Sequence, residues 1–201
     1  RHLCVVTMAI DWPVSLAANG VLLRPIKRSD RFAWTEIKAR NKSWLSPWEA
    51  TNPDGHKSAP TFKDVYRQSR RSSKNGNAFM FAIVVDGNLV GQITLGNVIW
   101  GSLREGYIGY WIDQKHAGRG IMTTSLALLT EFSLKEAGLH RIEVSIRPEN
   151  HASLRVVEKL GFNNEGMRPR FLHIDGDWRD HSIFVLTSEN INSSNIAKFI
   201  R

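Results

Sequence analysis

The sequence predicts one α/β domain of the α+β kind, a mixed sheet with helices on both faces. Three observations lead there. Apolar runs of strand length recur between turn residues, the apolar spacing switches to the helical period after Gly120, and the segments follow the order β-α-α-β-β-β-α-β-α-β-β. A chain of 201 residues suits one sizeable core rather than two.

Residues 21–26 (VLLRPI) read as the first strand. Ser29 and Asp30 then offer short oxygen side chains to the unpaired amides of a helix start, and that helix is expected to run to about Arg40. The stretch 41–60, rich in Asn, Ser, Pro and Gly, is expected to be mostly loop, yet it carries Trp44, Leu45 and Trp48. Such side chains in a loop either fold back onto the core or wall a site. A second helix is expected over 62–72. Residues 78–85 (AFMFAIVV) form an unbroken apolar run suited to a strand covered on both faces. Asp86-Gly87-Asn88 then turns the chain into an alternating strand over 89–95. Residues 106–112 (GYIGYWI) are a further strand, whose Gly109 predicts a bulge or a close backbone approach.

After Gly120 the residues Ile121, Ser125, Leu128, Leu129 and Phe132 recur at spacings of three and four, the stripe of an amphipathic helix ending near Gly138. A strand over 141–147 precedes a helix over 150–160, capped by Asn150 and closed by Gly161 at its C′ position. Two more strands, one from Phe162 onward and one over 178–186, are joined by an Asp175-Gly176 turn. Residues 1–20 are read as an N-terminal extension, 21–187 as the domain, and 188–201 as a polar tail.

Composition narrows the classes. The apolar share of 42% and charged share of 23% are those of an ordinary globular protein. No apolar run approaches the roughly 18–20 residues that span a bilayer, so no membrane association is expected. Residues 3–10 are mildly apolar but lack a long hydrophobic region and a cleavage site, and are not read as a signal peptide. Met8 is a candidate natural start. The single cysteine, Cys4, excludes an intrachain disulfide, and with no paired Cys/His/carboxylate spacing no metal is expected. The default setting is cytoplasmic. A net charge of +8 is scattered along the chain, with a denser stretch from Arg67 to Lys74. It reads as a solvated helix face, as attraction for a polyanionic cofactor, or as a means of dwelling near RNA. No zinc-finger spacing, RNA-binding aromatic signature or basic zipper is present, so nucleic acid is not expected as the substrate.

The chemistry concentrates in Ile112-Asp113-Gln114-Lys115-His116-Ala117-Gly118-Arg119-Gly120-Ile121-Met122-Thr123. A strand ends, a loop carries two glycines one residue apart, and a helix begins. First-turn amides have no intrahelical partners and the helix dipole is positive there, while glycines let backbone approach an anion closely. Such a turn seats a phosphate or pyrophosphate. GxGxxG fails because Thr123 stands where the third glycine belongs, and GxxxxGK[ST] fails because Ile121 and Met122 follow Gly120.

This loop, followed by residues 148–162 (PENHASLRVVEKLGF), resembles the GNAT acetyltransferases, and the resemblance extends over 21–187. Within that superfamily, residues 41–49 (NKSWLSPWE) and 174–181 (IDGDWRDH) resemble the RimJ/RimL-type ribosomal-protein alanine N-acetyltransferases. The resemblance implies the GNAT fold, a seven-stranded, mostly antiparallel mixed sheet with one splayed parallel pair and four helices. It implies acetyl-CoA as cosubstrate, held by Ile112, Lys115, Gly118, Arg119, Gly120, Met122, Thr123, Asn150 and Ser153. The family usually has Gln or Arg where Ala117 stands, and often Gly or Ala in place of Met122. One pyrophosphate contact is thereby in doubt, and Arg119 or Lys115 could supply the charge.

Acetyl transfer asks for a donor to the developing oxyanion, for a base that keeps the amine neutral and for an acid that protonates the thiolate. A backbone amide at the end of 106–112 is expected to serve the first. The resemblance makes Ser153 the acid, against the plainer reading of a first-turn serine bonding its own helix. Glu105 and Glu49 are the candidate bases. Trp44, Trp48 and Glu49 are expected to wall the acceptor site, and His173 and His181 are read as structural. The expected reaction is direct acetylation, in a ternary complex, of the N-terminal α-amine of Ala or Ser on a ribosomal or similar protein. Ribosome association and a monomer or homodimer are expected with it. A small-molecule amine acetyltransferase and a non-catalytic acyl-CoA-binding regulator are the alternatives.

Overall fold

The structure is a computed structural model that describes residues 10–55 and 60–201; Cys4 and Met8 lie outside the described residues. Eight strands form one sheet: β1 (Leu16–Ala18), β2 (Val21–Pro25), β3 (Phe79–Val85), β4 (Asn88–Ile99), β5 (Glu105–Ile112), β6 (Arg141–Ile146), β7 (Asn163–Ile174) and β8 (Asp177–Thr187). Their spatial order is β1-β2-β3-β4-β5-β6-β8-β7. The helices are α1 (Arg31–Arg40), α2 (Lys42–Leu45), α3 (Phe62–Lys74), α4 (Ile121–Glu131) and α5 (His151–Leu160). The mixed sheet and its flanking helices match the predicted class.

The strand count does not. Asn19 and Gly20, both at positive φ, make the two-residue hairpin turn that Asn-Gly favours, and Leu16 pairs with Leu23 across it. An eighth strand thus lies inside the stretch read as an extension. The loop expected over 41–60 is also partly helical. α2 continues into a 3-10 turn over Ser46–Trp48 that starts around Pro47, so Trp44 and Trp48 stand on fixed backbone.

The core has two layers. On one face Phe79, Phe81, Ile93, Leu95 and Ile108 pack beneath α4 and α5; on the other Ile26, Trp34, Ile37, Phe62 and Ala82 pack beneath α1 and α3. Every residue from Ile121 to Thr130 is buried, so α4 is enclosed rather than striped as expected. Its Ser125 hydroxyl donates to the Ile121 carbonyl at 2.8 Å, which lets a serine sit in the core. In the closing turn Phe132–Glu136, the wider helix that follows α4, Ser133 bonds Leu129 in the same way at 2.6 Å.

One pairing positions the site. Among the described residues β5 and β6 are the only parallel neighbours, and they pair from Glu105↔Arg141 to Tyr107↔Glu143 before diverging. An ion network holds the closed end. Arg141 contacts Glu105, Glu143 and Glu165, and Arg168 grips the buried Glu143 with both guanidinium nitrogens, at 2.7 and 3.0 Å. Beyond Tyr107 the β6-facing backbone of β5 borders an open cleft. No bulge occurs at Gly109: the β4–β5 register is unbroken from Gly91↔Ile112 to Gly96↔Tyr107, and the irregularity falls between Gly96 and Ile99.

Candidate active site

The cleft widens into a cavity of about 900 Å³, whose wall takes in Trp44, Trp48 and Glu49, the end of β5, the first turn of α4 and the first turn of α5. Gly109 lines it, and a Cβ there would meet only Tyr107, at 3.7 Å. The glycine keeps the cavity open rather than admitting a neighbouring backbone.

At one end lies the loop into α4. Gly118 and Gly120 both adopt left-handed φ, +74° and +80°, with nothing within 4 Å of a built Cβ. Gly120 caps α4 without a side chain, so the first-turn amides of Ile121, Met122 and Thr123 face the cavity with no capping oxygen. Free amides, an aligned dipole and open space over two glycines fit a pyrophosphate. Ala117 lines this end in place of a polar side chain, leaving the backbone as the principal donor.

Asp113 anchors the loop. The carboxylate is buried and accepts from Arg40, from Asn41 Nδ2 at 2.9 Å and from the Lys115 amide at 3.4 Å. Burial alone would raise its pKa, but the Arg40 and Asn41 hydrogen bonds, the Lys115 amide and the Arg40 charge outweigh this and hold it at about 2. The native carboxylate therefore adds stability that is complete above the ordinary aspartate pKa of about 3.9 and fades as pH falls through about 2. Asp113→Asn is expected to be less stable than wild type at pH 7, with the difference narrowing towards pH 2. Urea unfolding at several pH values measures it; a pH-independent difference would remove the charge as the cause.

Between the two ends stand Ser153 and Tyr110. Asn150 Oδ1 accepts the Ser153 amide at 3.1 Å and so caps α5, as expected. The Ser153 hydroxyl makes no hydrogen bond among the described residues, unlike the helix-bonded Ser125 and Ser133, and it lines the cavity. Tyr110 was not anticipated. Its hydroxyl is buried without a hydrogen-bond partner, and burial pushes its pKa up to about 12, with the Ser153 side chain close enough to oppose the shift. A buried unpaired hydroxyl costs free energy, on the order of 1–3 kcal/mol, unless something else satisfies it. The clue was parity: Ile108, Tyr110 and Ile112 share one face of β5.

The other end is the aromatic wall. Trp44 Nε1 donates to the Ile112 carbonyl at 3.1 Å, and the Arg147 guanidinium sits 5.3 Å from the Trp48 ring centre while bonding the Pro47 carbonyl at 2.7 Å. The wall is stapled to the β7–β8 turn. The Asp175 amide donates to the Glu49 carbonyl at 3.2 Å, Thr51 Oγ1 accepts from the Gly176 amide at 3.0 Å, and His173 Nδ1 lies 2.8 Å from Thr51 Oγ1. The two segments that carried the closer resemblance therefore touch each other.

Two expectations change. Glu105 sits at the closed end of β5, paired with Arg141 and outside the cavity wall; it is withdrawn as a candidate base. Lys115 and Arg119, the expected sources of charge in place of a side chain at Ala117, are not among the residues that line the cavity either. Glu49 does line it, but pairs with Lys38, whose ammonium lies 5.2 Å from the Trp111 ring centre and whose pKa is lowered by burial. Among the described residues no helix is long and apolar enough to cross a membrane.

The profile of the acetyltransferase (GNAT) domain matches residues 21–163. The chain is 29% identical over 177 residues to the [ribosomal protein uS5]-alanine N-acetyltransferase of Escherichia coli, covering 87% of this chain and 91% of that one. It is 28% identical over 173 residues to the probable N-acetyltransferase YjcK of Bacillus subtilis, covering 85% and 96%. The structure of Mycobacterium smegmatis RimJ in complex with CoA-disulfide superposes with a TM-score of 0.87 at 34% identity, covering 93% of each chain. With the splayed β5–β6 pair, the amide-lined seat before α4 and this profile over most of its length, the chain belongs to the GNAT family and is an acetyl-CoA-dependent N-acetyltransferase of the RimJ/RimL type.

Proposed function

We propose that the protein acetylates the N-terminal α-amine of a ribosomal or similar protein beginning with Ala or Ser, in the cytoplasm and by direct transfer. One observation carries the reading: a single continuous cavity joins an anion seat at the α4 end to an aromatic wall of Trp44 and Trp48 at the other, with the carboxylates Glu49 and Glu149 on its lining. Both substrates then sit in one ternary complex, and no covalent enzyme intermediate is required. The sequence relationship to an enzyme that acetylates ribosomal protein uS5 supports the choice of acceptor.

The residues divide the work as follows. The amides of Gly118 to Thr123 hold the pyrophosphate and Asn150 the pantetheine arm, placing the thioester where β5 leaves β6. The acceptor enters between Trp44 and Trp48. Lys38 takes one oxygen of Glu49; the other receives the acceptor ammonium and its proton. An α-amine has a pKa near 7.7–8, so a weak base suffices. The neutral amine attacks the carbonyl carbon and a free β5 amide stabilises the oxyanion; as the C–S bond breaks Ser153 gives its proton to the departing thiolate, and the second proton lost from the attacking nitrogen restores the Ser153 hydroxyl.

Truncating Trp48 to Ala is expected to raise KM for an N-terminal peptide several-fold while leaving acetyl-CoA binding unchanged, since this wall touches only the acceptor. Mass spectrometry of reacted peptides tests the whole reading. Acetyl groups on Ala or Ser α-amines support it; acetylation mainly of internal lysines, or only of small-molecule amines, refutes it while leaving the family intact.

A further inference from the structure

On the opposite side of α3 from the acceptor cavity lies a groove of about 1050 Å³ between α1 and α3, lined by Arg28, Arg31, Lys38, Lys63, Arg67 and Arg70 with no carboxylate among the lining residues. Of these cations only Lys38 belongs to an ion pair within 4.0 Å among the described residues, although every Asp and Glu of the chain is described. The groove continues along α3 into a second depression bordered by Arg67 and Arg71. Lys63, Arg67, Arg70, Arg71 and Lys74 fall on one face of α3, opposite the face that buries Phe62 and Ser69.

A solvated helix face ordinarily mixes signs, because opposite charges three or four residues apart support the helix and like charges weaken it. Here 63–67, 67–71 and 70–74 are like-charged at four residues, and 67–70 and 71–74 at three. The one acid on the helix, Asp64, is engaged in its N-terminal capping box with Thr61. The helix is held by its buried face and its cap, against the repulsion on its outer face. An anionic partner would relieve that repulsion.

We propose that this surface docks the phosphate backbone of double-helical RNA. An acidic protein is disfavoured by the lack of a free apolar anchor: Trp34 and Phe62 are buried at 7% exposure and packed edge-on against each other, and the half-buried Tyr66, which also lines the groove, is stacked on Phe62 with the Arg28 guanidinium 5.9 Å from its ring centre. Single-stranded nucleic acid is disfavoured for the same reason, because it needs exposed rings on which bases stack. A row of arginines needs only phosphates, whose oxygens match the guanidinium fork. RNA rather than DNA rests on the proposed ribosomal acceptor. The surface would dwell on RNA while the acceptor N-terminus enters on the other side of α3, where Gln68, Ser69 and Ser72 line the cavity.

The test measures binding of a short duplex RNA by fluorescence anisotropy across a salt series. Arg67→Gln/Arg70→Gln/Arg71→Gln is compared with a control of equal charge change, Arg104→Gln/Lys198→Gln/Arg201→Gln, and thermal melting confirms that both fold. The groove variant is expected to bind at least about tenfold more weakly at about 0.1 M salt, with a log–log salt slope smaller by about three. The control should stay near wild type, and the groove variant should acetylate a free peptide at the wild-type rate. Equal losses in both variants would reduce the effect to diffuse charge and overturn the proposal. So would duplex DNA binding as tightly as RNA, polyglutamate competing as well as RNA, or impaired acetylation of free peptide by the groove variant. A wild-type protein that acetylates no N-terminal peptide would sink the acceptor reading and leave the RNA measurement standing.

Discussion

Gly120→Val is expected to weaken acetyl-CoA binding at least about tenfold, about 1.4 kcal/mol, while the protein stays folded. Two effects combine. The residue stands at φ +80°, where a β-branched side chain is strained, and its Cβ would enter the open space over the first-turn amides of α4. Among the described residues nothing lies within 4 Å of that Cβ, so its addition displaces no neighbouring atom. Strain of about 1–3 kcal/mol at one residue is less than the roughly 5–15 kcal/mol that stabilises a domain. Calorimetric titration of the folded variant decides the matter, with Gly120→Ala as the milder companion. Unchanged affinity would remove this loop as the cofactor seat.

Ser153→Ala is expected to lower kcat by about 10- to 100-fold with little change in acetyl-CoA affinity, because a proton given to the leaving thiolate matters mainly in the transition state. The structure makes this a clean substitution. Asn150 caps α5 through the Ser153 amide, which alanine retains, and the hydroxyl has no partner in its own helix among the described residues. Tyr110→Phe completes the comparison. If the Tyr110 hydroxyl positions that of Ser153, its loss should lower kcat in the wild-type background and add little to Ser153→Ala. Activity of Ser153→Ala within twofold of wild type would return the serine to a structural role.

Most of the fold was legible because its signals are local. The helix start after Gly120, the turn glycines and the capping Asn150 each act within a few residues, and each is found where expected. Two errors came from turns. The Asn19-Gly20 pair was passed over because a three-residue strand leaves almost no alternation to read. The helical turns at 42–48 were hidden in a composition that favours loops. The cofactor end of the site was readable for the same reason as the fold, being one contiguous strand–loop–helix. Glu105 looked eligible because it begins the right strand, but parallel pairing at that end gives it to Arg141, a partner 36 residues away in the chain. Asp113 and Tyr110 act through burial and through neighbours distant in the chain, Arg40 and Asn41 at the end of α1 and Ser153 on α5, which local spacing does not encode.

The staple between the aromatic wall and the β7–β8 turn has a consequence for the order in which the site assembles. The bond from the Gly176 amide to Thr51 joins residues 125 apart, and Glu49 meets Asp175 over a similar span. The glycine turn of the cofactor seat forms within the stretch from Asp113 to Thr123, and its Asp113 anchor reaches Arg40 and Asn41 over the shorter spans of 73 and 72 residues. Long loops must be closed before distant contacts repay their entropy, so the seat should form early and the wall late. The same asymmetry applies to local opening of the native protein, in which the exposed staple bonds break more readily than the buried ladder of β4 and β5. A local opening confined to the staple would leave the cofactor seat formed while the acceptor wall is unset. Amide exchange at Asp175 and Gly176 should accordingly run ahead of exchange at Asp113, whose amide is bonded to Val90 at 2.8 Å.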